Sequence, residues 1–163
     1  MNIYRLIPGY AKMENELNAL REDKRKAVQK VADLEDRLAE ARRKEALMIE
    51  LHRAPVVDRL PGQLPVSLYS IGKAGVVLNG LFDRGILPTT VAPSTAGAIS
   101  LVITHRQNRY AAEFRDGQNT FLYAILGNRA LPGRTVDLTH VAMKDLVKAI
   151  LDTIREWEEM IPY

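Results

Sequence analysis

There is no cysteine anywhere in the 163 residues. That excludes disulfides, thiolate metal sites and cysteine nucleophiles, and suits a reducing compartment. No apolar run approaches the roughly 20 residues a membrane-spanning helix needs. The first nine residues lack the basic start and apolar core of a secretory signal, so a cytoplasmic protein away from the membrane is expected. Charge of one sign is also lacking: 23 Lys and Arg face 20 Asp and Glu, and the net +3 does not by itself imply a nucleic-acid partner. The hydrophobic and charged fractions, 47% and 26%, are those of a folded chain rather than a disordered one.

Signatures of catalysis are equally scarce. His52, His105 and His140 are far apart, and none stands in a His-Glu-x-x-His spacing. No phosphate-binding Walker loop, dinucleotide fingerprint or nucleophile elbow occurs. The stretch Gly72-Lys73-Ala74-Gly75 has no strand before it and reads as close helix packing, and Glu158-Glu159 reads as a solvated helix end. The sequence therefore predicts no catalytic residue, cofactor or metal.

A third absence is informative in the other direction. From Tyr10 to Arg53 there is no glycine and no proline, while Ala, Leu, Glu, Lys and Arg abound. This composition predicts one long helix over residues 10–53, after a tail of residues 1–9 that ends in Pro8-Gly9. With Tyr10 at heptad position a, the a/d seam reads Tyr10, Met13, Leu17, Leu20, Lys24, Ala27, Val31, Leu34, Leu38, Ala41, Glu45 and Met48. Ten of the twelve are apolar or aromatic. A straight helix drifts about 20° per heptad from a strict seven-residue repeat, so the persistence of this one favours a coiled coil. The alternative is a hairpin in which the helix packs on its own C-terminal domain.

The flanking charges favour a direction. Positions g carry Glu16, Asp23, Lys30, Arg37 and Lys44; positions e carry Glu14, Arg21, Val28, Glu35 and Arg42. A parallel homodimer makes Glu16–Arg21 and Lys30–Glu35 attractive but sets Arg37 against Arg42. An antiparallel one centred near Gln29 makes Glu16–Lys44, Asp23–Arg37, Glu14–Arg42 and Arg21–Glu35 all attractive, with Lys30 alone facing its own copy. Exposed pairs are worth a few tenths of a kcal/mol each, so the summed bias toward antiparallel is about 2 kcal/mol. The polar seam residues Lys24 and Glu45 also suit a specific partner helix from another protein.

Residues 54–66 hold Pro55, Pro61, Gly62 and Pro65 and predict an extended linker. Residues 67–163 then predict a small α+β domain with the order α-β-β-β-α and an antiparallel sheet. Its first helix spans 67–84, with Leu68, Ile71, Leu78, Leu81 and Phe82 as the buried face and Gly85 as its end. Pro88 and Pro93 mark a loop. Strands are predicted over 98–104, 110–115 and 120–126. Asp116-Gly117 turns the second into the third, and Gln107-Asn108 turns the first into the second. A polar loop, 127–134, leads to a last helix over 139–160, capped by Asp137 or Thr139, with Met143, Leu146, Ile150, Ile154 and Trp157 on the sheet.

Five arginines punctuate the strands: Arg106, Arg109, Arg115, Arg129 and Arg134. Between Val102 and Arg134 the only acids are Glu113 and Asp116. Tyr110, Phe114, Phe121 and Tyr123 interleave with them. Guanidinium forks beside aromatic faces can hold single-stranded nucleic acid or another anion. The plainer reading is that the aromatics build strands and the arginines keep hairpin edges soluble.

Gly85-Ile86-Leu87-Pro88, then Pro93, Gly97, the apolar strand over 98–103 and the strand and turn over 109–117, resemble a pattern in small bacterial α+β proteins encoded near toxin–antitoxin and mobile-element genes. The resemblance covers roughly residues 78–126. Those proteins carry an aromatic, often tryptophan, at the end of the first strand, where Thr104-His105 stands here; the long helix is not part of their pattern. The resemblance implies no catalytic residue. The expected function is non-enzymatic: a homodimeric oligomerisation or adaptor protein that presents its α+β domains to a protein partner. A dimeric nucleic-acid-binding accessory protein is the alternative.

Overall fold

In a computed structural model, residues 9–55, 62, 64–94, 96–117, 119–137 and 142–160 are described. The order is α1 (Tyr10–Arg53), α2 (Leu68–Phe82), β1 (Thr90–Pro93), β2 (Ile99–His105), β3 (Asn108–Phe114), β4 (Asn119–Leu126), β5 (Arg129–Ala130), β6 (Arg134–Asp137), a 3-10 turn (Met143–Asp145) and α3 (Leu146–Glu159). The chain is α+β, with one long N-terminal helix, an antiparallel sheet and a C-terminal helix. No helix among the described residues is long and apolar enough to cross a membrane. The chain divides into two units, Met1–Arg42 and Arg43–Tyr163.

In the first unit α1 is helical for the reasons its composition supplies, with side chains that support one another along it. Arg25 holds Glu22 through two hydrogen bonds of 3.0 and 2.8 Å, and Gln29 donates to Asp33 at 2.8 Å. Such i,i+3 and i,i+4 pairs stabilise a helix by about 0.2–0.5 kcal/mol each.

The second unit begins inside α1, at Arg43, not after the proline-rich linker. Leu47, Leu51 and Ala54 are buried in its core. The Arg43 guanidinium donates to the Thr89 carbonyl, and the Lys44 ammonium sits 5.6 Å from the centre of the Phe82 ring.

The sheet has six strands where three are expected. Its order is β1-β2-β3-β4, with both β5 and β6 along the far edge of β4. The three central strands fall within two residues of their expected spans. The extra ones lie in segments expected to be loops: β1 contains Pro93, tolerated because β1 is an edge strand, and β5 has only two residues. Gly117, at φ +93°, serves the β3–β4 turn, whereas the β2–β3 turn is Arg106-Gln107.

Ser67 caps α2, its hydroxyl accepting from the Ser70 amide at 3.0 Å. The buried face of α2 is Ser70, Lys73, Ala74, Val77, Leu78 and Leu81. Leu68, expected to be buried, is instead 81% exposed, because the helix turns Ser70 and Lys73 toward the sheet. The last helix starts later than expected. Asp137 belongs to β6 and is not a cap, and Thr139 lies outside the described residues. The stripe itself holds: Leu146, Ile150 and Trp157 are buried, with Met143 and Ile154 packed beside them.

Both α2 and α3 lie on one sheet face, made by Val91, Ile99, Leu101, Tyr110, Ala112, Phe114, Leu122 and Ala124. The helices approach closely at Gly80, where an added Cβ would stand 2.6 Å from Val147 Cγ2. Trp157 stacks on Tyr110, with centroids 6.5 Å apart and planes at 12°. The Tyr110 hydroxyl donates to Glu158 at 3.1 Å. Burial, then that carboxylate, push the Tyr110 phenol up to about 12.

Three stability outcomes follow from this core. Gly80→Ala destabilises by about 1–3 kcal/mol, because the stiff, packed Val147 cannot swing away; Val147→Ala in the same chain recovers part of the loss in a denaturant double-mutant cycle. Thr120 is fully buried and its hydroxyl has no hydrogen-bond partner among the described residues, so Thr120→Val raises the unfolding free energy by about 1 kcal/mol. Tyr110 favours its neutral form when folded. Its contribution is therefore present below pH 10, the ordinary tyrosine value, and is lost as the pH rises through about 12. Denaturant midpoints measured from pH 8 upward should fall less steeply in Tyr110→Phe, which costs about 1 kcal/mol at neutral pH.

Candidate functional site

The seam of α1 is an apolar stripe open to solvent. Met13 is 68% exposed and Leu20 66%; Leu17, Val31, Leu34 and Leu38 are each about half exposed. Lys24, Ala27 and Ala41 are also exposed, and Tyr10 is half-buried. Met48, at the end of the expected seam, is half-buried against the core of the second unit. The residues of α1 that enter that core are off the seam. With Tyr10 at position a, Leu47 and Leu51 stand at positions c and g.

The charges of α1 divide in the same way. Those paired within the helix, Glu22 with Arg25 and Gln29 with Asp33, are at positions b, c and f. The e and g carboxylates Glu14, Asp23 and Glu35, and the guanidinium groups of Arg37 and Arg42, form no ion pair within the described residues. Glu16 reaches only Lys12, at 4.0 Å, and Arg21 only Asn18, at 3.5 Å.

A second surface is the sheet face opposite α2 and α3. The register places Val102 beside Ala111 and Ala111 beside Tyr123, with Arg109 beside Ile125 and Glu113 beside Phe121. Tyr123 is 39% exposed and Ile125 42%. The four aromatics that interleave with arginine in sequence therefore split: Tyr110 and Phe114 enter the core, Phe121 and Tyr123 face outward.

The five arginines split too. Arg115 lies 4.7 Å from the centre of the Phe121 ring and pairs with Glu113 at 2.5 Å. Arg134 faces the other way, 5.5 Å over Trp157, paired with Glu156. Arg106, Arg109 and Arg129 stand at one end of the sheet, on or beside two turns that are joined where the Gly127 amide donates to the Asn108 side chain at 3.0 Å. Among the described residues no acid pairs with these three.

The histidines stay apart. His52 bonds along its own helix to the Met48 carbonyl at 2.7 Å, His105 is exposed at the β2–β3 turn, and His140 lies outside the described residues. No cluster of three His, Asp or Glu side chains suited to a metal ion occurs among the described residues. The space between helices and sheet, lined by Leu101, Tyr110, Trp157 and their neighbours, is about 10 Å³, room for at most one water.

One residue that the sequence reading passed over is Lys73. It is 1% exposed, and its ammonium donates to the carbonyls of Arg115 at 2.5 Å and Gly117 at 2.9 Å. The Tyr69 ring lies 4.8 Å away. Ser67 donates to Asp116 at the same turn. Burial pushes the lysine below its usual range, partly offset by the Asp116 charge. The available signal was that Lys73 is the only charged residue in α2. It ties the start of α2 to the β3–β4 hairpin, a structural task.

Comparison with protein-family models, with curated proteins and with solved structures finds no match to this chain.

Proposed function

We propose that this protein is a non-enzymatic oligomerising adaptor whose copies associate through α1 as an antiparallel coiled coil and present their α+β units to a partner. The observation that carries the reading is the exposed a/d stripe of α1, with Met13, Leu17, Leu20, Val31, Leu34 and Leu38 about half or more open to solvent. Fully burying such a side chain stabilises by about 1.5–3 kcal/mol, and a second copy of the same stripe supplies the partner surface.

The direction is argued from the e and g charges, of which Glu14, Asp23, Glu35, Arg37 and Arg42 make no ion pair within the described residues. An antiparallel mate brings Asp23 to Arg37, Glu14 to Arg42 and Arg21 to Glu35, and gives Glu16 a closer partner in Lys44. In the seam, Leu17 meets Ala41, Leu20 meets Leu38, Lys24 meets Leu34 and Ala27 meets Val31, so that large residues mostly face small or equal ones. The outermost rung sets Tyr10 against Met48.

The absence of native cysteine makes disulfide trapping direct. The double variant Leu20→Cys/Leu38→Cys cross-links between chains, and neither single variant does. Cross-linking of Leu20→Cys alone would show the parallel arrangement. Light scattering at micromolar concentration gives the mass of two chains for the native protein and of one for Leu20→Asp/Leu34→Asp. The fluorescence of the single tryptophan, the buried Trp157, stays unchanged in that variant because the second unit remains folded. A native monomer, with Trp157 intact, overturns the proposal.

A further inference from the structure

The open sheet face ends in positive charge that nothing nearby cancels. Arg109 lies on that face, opposite Ile125 in the register; Arg106 stands at the adjoining turn, and Arg129, beside Leu126 in the register, stands at the same end of the sheet on its other side. Beside them is a shallow groove of about 150 Å³, lined by Val102, Arg109, Ala111, Tyr123 and Ile125. It exists because Ala111 is small and sits between the larger Val102 and Tyr123. The Tyr123 ring is held on one side by the backbone at Gly133, where an added Cβ would stand 3.3 Å from it. The only carboxylate on the face of β3, Glu113, is occupied by Arg115.

We propose that this end of the sheet binds single-stranded nucleic acid: Arg106, Arg109 and Arg129 contact phosphates, and a base stacks against Tyr123 in the groove over Ala111. Three features favour this ligand. Guanidinium forks match phosphate oxygens, and these three are uncommitted while Arg115 and Arg134 are not. An exposed aromatic beside a shallow groove offers a stacking platform, which a base can use only when unpaired. Arg106 holds φ +56° at the first position of a two-residue turn, where glycine is the usual choice. A solubilising charge has no need of that strained position; an arginine that must project beyond the end of the sheet does. The proposal is independent of how the chains associate.

Fluorescence anisotropy of the full-length protein with labelled 12-nucleotide oligo-dT and oligo-U, across a sodium chloride series, tests it. Three phosphate contacts at about 0.7 each predict a log–log salt slope of about −2 per site. Arg106→Gln/Arg109→Gln/Arg129→Gln removes binding, and Tyr123→Ala weakens it about fivefold or more, the low end for loss of one stacked base. Tyr123→Phe keeps the ring and the affinity, and Arg115→Gln leaves affinity unchanged. All these side chains are at least partly exposed, and Trp157 fluorescence verifies the fold of each variant. Absence of binding at low salt, equal binding by the triple variant, or tighter binding of a duplex of the same sequence overturns the assignment.

Discussion

The constraint on which the second unit depends is burial of the C-terminal end of α1 in its core. Near its C-terminal end Leu47, Leu51 and Ala54 are sealed into the core of the second unit, and Leu51 lies against α2 where Gly75 leaves room, 3.5 Å from an added Cβ. Upstream of that end, Met13, Leu17, Leu20, Val31, Leu34 and Leu38 stay exposed. Among the e and g groups Glu14, Asp23, Glu35, Arg37 and Arg42 make no ion pair within the described residues, whereas Glu16 reaches Lys12. In proteins most helical stability comes from packing an apolar face. The exposed seam is the observation on which the proposed second chain rests.

The second unit is built one-sidedly in a comparable way. All of its large aliphatic burial is on the face covered by α2 and α3. Trp157 is held between Tyr110 and the Arg134 guanidinium, so a ring from α3 locks the central and edge strands at once. Lys73 does the corresponding job at the opposite end of β3. Its ammonium takes the carbonyls of the β3–β4 turn and so satisfies two acceptors that a hydrocarbon side chain would leave without donors. With both ends of the hairpin fixed from the helix side, the other face needs no cover to keep its shape. Its side chains are free to be chosen for something other than packing.

Long periodic features were legible in the sequence, and features set by a single tertiary contact were not. The 44-residue helix, the α3 stripe and the Asp116-Gly117 turn each rest on a local rule of backbone or periodicity, and each lies where that rule puts it. Strands β5 and β6 are not legible because two to four residues carry no measurable alternation; both pair along the free edge of β4. Hydrophobicity alone puts Leu68 inside, yet the turn of α2 that caps with Ser67 sends Ser70 and Lys73 inward instead. The arginine cluster was half legible. Sequence spacing brings Arg106, Arg109, Arg115, Arg129 and Arg134 near the hairpins, but strand parity decides which face each one takes. A one-residue change of register reverses that choice. Register, invisible to composition, puts Arg109 on the open face beside Ile125 and Arg129 on the helix-covered face beside Leu126.

The two proposed surfaces bear on one another through effective concentration. A site with three phosphate contacts and one stacked base is weak on its own, because most of its affinity is electrostatic and falls steeply with salt. Joining two such units in one particle makes the second contact intramolecular whenever a ligand is long enough to reach both, which raises avidity without any new residue at either site. The proposed pairing of chains and the proposed sheet-end site are therefore consistent with one another: the modest chemistry of each head is what the proposed self-association through α1 would amplify. The same logic holds if the partner is another protein, since the amplification comes from α1 and not from what the heads recognise.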